Sequence, residues 1–231
     1  MDHETELKEQ NLRSRLRRVS LLFLFAGVGL LALIFNQPLL GYFDTSRTYE
    51  EALVYVGDNL TALRWMFTGV GVMDLLLGAT LWLWGSQVRK TVSGGQATAA
   101  TVAAWAGLWG GVAALGYRLR TAWFQSVEDF AYTGETSVGV PEVIFLTALL
   151  AWTAAFVIFG VLIIRGPMPK WLGILLIVFG FLPYIGILPF WYYFGAIALG
   201  ITVLVRLRGG KPLLRTSYPR YETDGQRTAK S

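Results

Sequence analysis

The chain has 231 residues, 54% of them hydrophobic, a formal charge of +5, no cysteine and a single histidine. Without Cys there are no disulfides, no thiol chemistry and no Cys-bound metal. With His3 as the only histidine, two-His zinc sites, His-dependent serine hydrolysis and bis-His haem are excluded as well, and no cofactor is expected. The apolar residues fall in long blocks, and the basic residues stand beside those blocks. The expectation is an all-α integral membrane bundle whose positive charge sets topology, with the lipid bilayer as its surroundings and no nucleic acid as partner.

Residues 1–18 form a polar tail ending in Arg13, Arg15, Arg17 and Arg18. It reads as a cytoplasmic topology anchor, with lipid-headgroup binding as the alternative. Residues 19–40 are long enough for a first span, since about 20 apolar residues cross about 30 Å of hydrocarbon. The run is too long for a signal-peptide core and no small-x-small site ends it, so it is expected to remain in the chain. In the outer loop 41–61, Thr48 and Glu51 make a capping box that starts a short helix. Tyr49, Leu53 and Val56 then share one face, which suits a helix lying on the bilayer surface.

The second span covers residues 62–85, with Asp74 at its middle. A short inner loop, 86–96, carries Arg89, Lys90 and Gly94-Gly95. The third span, 97–117, is rich in Ala and Gly and holds Gly107-x-x-x-Gly111. Small residues at that spacing let helix backbones touch, either in a homo-oligomer or membrane-partner contact or within the bundle. The outer loop 118–142 mixes Trp123, Phe124, Phe130 and Tyr132 with Glu128, Asp129, Glu135 and Glu142. It reads as a solvated loop with interfacial anchors, with a lid or partner surface as the alternative.

Residues 143–164 make the fourth span, and Arg165 to Lys170 a tight inner turn through Pro167 and Pro169. The apolar stretch from Trp171 to Arg206 would be about 54 Å long as one helix, too long for a single crossing. Pro183, Gly186 and Pro189 divide it into a short fifth span, 171–184, and a sixth, 189–205. Tyr184, Phe190, Trp191, Tyr192 and Tyr193 flank this break as an aromatic belt, or as a gate. Residues 207–231 are polar and basic and are expected to be disordered. Sixteen of the twenty Lys and Arg residues fall on the proposed inner segments. That asymmetry places both termini in the cytoplasm.

A helical outer loop leading into Arg64-Trp65-Met66-Phe67 and an Asp-bearing span, followed later by Met168-Pro169-Lys170-Trp171-Leu172-Gly173-Ile174-Leu175-Leu176, resembles a family of small six-span prokaryotic membrane proteins classed as a domain of unknown function. The resemblance covers residues 15–206. It implies the six-span layout only, and carries no activity, ligand or catalytic residue; the expected location of the chain is a prokaryotic plasma membrane.

Asp74 is the one acidic residue inside an expected span. Charges at such depth are costly and face the bundle interior. Gly71 and Gly78, three before and four after it, lie on the same helix face and make it a close-packing stripe. At similar depth the neighbouring spans offer Trp105, Trp109, Trp152 and Thr153, donors of hydrogen bonds but not cations. A carboxyl among such neighbours is expected to be neutral at rest. It would serve as a hydrogen-bonding strut across helices or as a proton or cation site. A single intramembrane carboxylate does not make an aspartyl-protease dyad. The pairs Glu50-Glu51 and Glu128-Asp129 are adjacent in loops and point apart. These residues favour a non-enzymatic accessory or structural membrane component, over a small transporter or channel using Asp74. A lipid-handling enzyme is a weaker alternative.

Overall fold

The computed structural model describes residues 3–42, 44, 46–128, 140–185, 191–211 and 213. Among them the chain forms α1 (His3–Ile34), α2 (Gln37–Tyr42), α3 (Tyr49–Arg89), α4 (Gly95–Phe124), α5 (Val140–Ile164), α6 (Lys170–Phe181) and α7 (Trp191–Arg208). A 3-10 turn, Leu182–Ile185, follows α6. Four stretches, Gln10–Ile34, Tyr49–Arg89, Gly95–Phe124 and Val143–Ile164, are long and apolar enough to cross a membrane. Lys170–Tyr184 is a shorter apolar helix, and the 18 residues of α7 end in a turn bearing Arg206 and Arg208.

The helices close into a ring. α1 packs on α3, α3 on α4, α4 on α5, α5 on α6, α6 on α7, and α7 returns to α1. Phe23, Trp84, Trp152, Phe159 and Tyr192 are among the large side chains sealed inside it. The contact between α3 and α4 is the most extensive, and glycines face one another there. A methyl group at Gly78 would lie 2.7 Å from the Gly107 carbonyl oxygen and 2.9 Å from the Gly111 Cα. Only hydrogen side chains allow that approach.

Two expected boundaries move. The helix that begins at Thr48 does not lie on a surface and stop. Thr48 caps it as expected, accepting from the Glu51 amide while the Glu51 carboxylate accepts from the Thr48 amide at 2.8 Å. The helix then continues through residue 89, 41 residues in all, or about 62 Å, roughly twice the hydrocarbon thickness. No proline interrupts residues 49–89, so the backbone ladder has no reason to break at the polar residues before the apolar run. The projecting end is held by α2. The Tyr55 hydroxyl donates to the Pro38 carbonyl at 3.0 Å, and the Arg47 guanidinium stands 3.9 Å from the centroid of the Tyr55 ring. Val56 is buried there, while Tyr49 is exposed. In the turn before α3, side-chain and backbone hydrogen bonds from Ser46 hold the Asp44 carboxyl below the usual carboxylate range.

The second shift is in α4, which runs past residue 117 to Phe124. Arg118, Arg120 and Trp123 are therefore helical, not loop. The later part of that expected loop, 129–139, lies outside the described residues, as do 186–190 at the expected break and residues 212 and 214–231 of the expected tail. Residues 3–18 are continuous with the first apolar run: α1 begins at His3 and runs through both to Ile34.

Candidate functional site at the contact of α3 and α4

Asp74 lies on the buried face of α3, with 2% of its surface exposed. Gly71 and Gly78 flank it on that face and meet α4. A methyl at Gly71 would stand 3.0 Å from the Arg118 Cβ and from a Leu115 methyl. Gly111 packs so closely that a methyl there would meet the Asp74 carbonyl oxygen at 2.8 Å. The Gly107-x-x-x-Gly111 face is thus filled by α3 of the same chain. A second copy could dock on it only by displacing α3.

The expectation that Asp74 has no cation within reach is overturned. Arg118, on α4, brings its Nε to 3.6 Å from Asp74 Oδ2. The Arg118 side chain is 16% exposed and the Asp74 side chain 2%. Three rings from three helices surround the guanidinium: Phe145 of α5 at 5.3 Å, Tyr117 of α4 at 5.7 Å and Phe67 of α3 at 5.8 Å. The Tyr117 and Phe145 rings stack at 4.7 Å, and Tyr42 of α2 meets Phe67 edge-on at 5.4 Å. Ring faces attract a cation, so the cage holds the charge where water is scarce. At 3.6 Å the contact is an ion pair without a hydrogen bond, and both Asp74 Oδ2 and Arg118 Nε are buried without a hydrogen-bond partner.

Arg118 escaped sequence reasoning because a charge ends a hydropathy window. It does not end a helix. The available signal was spacing: Arg118 lies seven residues, two turns, beyond Gly111, and so on the same face of α4. Along α3, Asp74 is nine residues, about 14 Å, from Trp65 and fifteen residues, about 22 Å, from Arg89. Beside Trp65 stands Trp123 of α4, whose indole donates to Thr68 Oγ1 at 2.9 Å and meets Trp65 edge-on at 5.5 Å.

The four other residues expected near Asp74 go elsewhere. Trp105 and Trp109 are 59% and 57% exposed, and Trp105 pairs edge-on with Trp82 on the outer surface. They stand two positions from Gly107 and Gly111, so the helix turns them away from α3. Trp152 is buried against Gly110 of α4, and its ring also meets those of Tyr192 and Tyr193 of α7.

Thr153 anchors a second polar cluster. Its hydroxyl lies 2.9 Å from the carbonyl oxygens of Leu149 and Gly180, 2.9 Å from the Tyr192 hydroxyl and 3.1 Å from the Tyr184 hydroxyl. Tyr192 also reaches the Leu149 carbonyl at 3.1 Å. With Thr153 donating to Gly180 and Tyr192 to Leu149, both donors and both carbonyls are served. Gly180 is in the last turn of α6, where carbonyls lack helical partners. The cluster therefore ties α5 and α7 to the end of the short helix.

By length and composition this is a membrane-embedded helical bundle. Comparison with protein-family models, curated proteins and solved structures finds no match.

Proposed function

We propose that the protein is a six-span membrane protein with both termini in the cytoplasm. It acts without catalysis, as an accessory or structural component of a prokaryotic plasma membrane. In this reading α6 with its 3-10 turn and α7 complete the crossings begun by the four longer helices. The basic residues at Arg89, Arg165 and Arg206 mark the cytoplasmic ends. The Asp74–Arg118 pair is an internal tie between α3 and α4. The observation that carries this role is that the carboxylate is answered by a cation of the adjacent helix, inside a glycine contact too close for a side chain.

A second reading has its own support. Ionisable groups within spans mark ion or proton pathways by default, and the Asp74 and Arg118 atoms that face each other are buried without hydrogen bonds. A proton or cation competing with Arg118 for the carboxylate would make the pair a transport site. Asp74→Asn separates the two readings, because it keeps the shape and cannot ionise. Purified protein in liposomes is expected to conduct no more protons or monovalent cations than empty vesicles. Flux that Asp74→Asn abolishes in a folded protein would replace the structural reading with transport. Reporter fusions at Gly94 and at the C-terminus test the topology, and an external signal at either would overturn it.

A further inference from the structure

The turn between α3 and α4 borders a cavity of about 680 Å³, lined on one wall by α5. That size falls within the range of ligand pockets. Its apolar wall is Ala99 of α4 with Val157, Ile158, Val161 and Leu162 of α5. Its polar end holds Ser93, Gln96 and Arg165. An adjoining smaller pocket shares Gln96, Leu162 and Arg165 and is also lined by Trp84. The Trp84 ring is 1% exposed and its indole nitrogen is buried without a hydrogen-bond partner.

Two features give the polar end a preference for negative charge. Arg165 is exposed and makes no ion pair among the described residues. The turn that carries it is pinned from below, since Arg206 Nη2 donates to the Pro167 carbonyl at 3.0 Å. The 30-residue helix α4 begins at this end, at Gly95, with Gly94 as its N-cap residue and no side-chain cap. Gly94 has φ of +56°, a turn conformation that favours glycine. The Ala97 amide is taken by the Gly94 carbonyl at 3.0 Å, so the Gly95 and Gln96 amides are the ones an outside acceptor would meet, and the helix dipole favours an anion there.

We propose that this cavity binds one anionic phospholipid from the cytoplasmic leaflet. Its phosphate meets Arg165, Ser93 and the start of α4, and an acyl chain lies along Val157 and Val161. The cavity is amphipathic in the order a lipid requires, charged at the level of the basic helix ends and apolar along the helix walls. A free inorganic anion would leave the apolar wall unused. The proposal rests on the membrane reading above. Resistance of the protein to alkaline extraction from membranes tests that reading separately.

The test is native mass spectrometry of the full chain in neutral detergent, titrated with phosphatidylglycerol or phosphatidylcholine of matched acyl chains. The wild type is expected to prefer phosphatidylglycerol. R165Q should weaken that binding about fivefold, as a basic residue near an anionic lipid surface contributes. Q96E should weaken it too, and it keeps the fold testable, because an acid in the first turn suits the helix dipole. R208Q, which removes a charge from the same end of the bundle outside the cavity, should leave the preference unchanged. Equal affinity for the two lipids in the wild type would overturn the proposal. So would an R165Q protein indistinguishable from wild type, or an R208Q loss equal to that of R165Q.

Discussion

The Asp74–Arg118 pair and the Thr153–Tyr192–Tyr184 cluster both place polar groups inside the helix ring, and they satisfy them in opposite ways. Mid-helix backbone has its N–H groups committed to the ladder, but its carbonyls keep a spare lone pair. Hydroxyls can donate to those carbonyls, and Thr153 and Tyr192 do so at Leu149 and Gly180. An ionised carboxylate only accepts. No mid-helix backbone donor is free for Asp74, so its partner must come from another side chain or from a proton. The chain supplies Arg118, at ion-pair distance and without a hydrogen bond. The neutral cluster is self-contained, whereas the charged pair depends on one residue of one other helix.

That contrast is sharpest when one charge is removed. Arg118→Met should cost about 3 to 5 kcal/mol, because it strands a buried carboxylate. The double change Asp74→Leu with Arg118→Met should recover most of the loss, as buried pairs are often replaceable by apolar residues. Unfolding free energies in micelles measure both, and a double variant no better than the single would contradict a simple ion-pair tie. Next in size is the glycine contact that brings the pair together. Gly78→Val should cost about 1 to 3 kcal/mol by overpacking, since its neighbours at 2.7 and 2.9 Å are backbone atoms. A silent Gly78→Val would mean that α3 and α4 are less closely apposed.

In the neutral cluster the effects should be smaller. Tyr192→Phe keeps the ring and removes one hydroxyl, at a cost of about 0.6 to 1.7 kcal/mol, the span seen for hydrogen bonds between membrane helices. A loss as large as that of Arg118→Met would erase the distinction between the two regions. Smallest of all, Trp105→Leu and Trp109→Leu should change stability by no more than about 0.5 kcal/mol, because both rings lie on the outside. A measured cost above that would point to an outer contact at those rings.

Much of this architecture was legible beforehand, for reasons that are local. Four apolar runs coincide with helices long enough to cross a membrane. Thr48 and Glu51 announce the start of α3, because a capping box needs only two side chains three residues apart. Gly71, Asp74 and Gly78 share a face, because helical periodicity alone puts them there. The Gly107 and Gly111 pair could be read as a packing face, but not as one already occupied by α3.

By itself, then, the sequence determined the helical class, the apolar stretches and the small-residue stripe on α3. Each of these is a property of one segment, set by hydrophobic composition and a period of 3.6. Tertiary structure alone decided the partner of Asp74, the inward choice of Trp152 over Trp105 and Trp109, and the continuation of α3 and α4 beyond their apolar runs. Hydropathy falls at every charge, yet a helix continues wherever its backbone ladder is unbroken. A charge such as Arg118 is tolerated when a different helix brings its counter-ion and ring faces to it. An indole suits lipid and protein interior alike, so its direction follows from where the neighbouring helices close the ring.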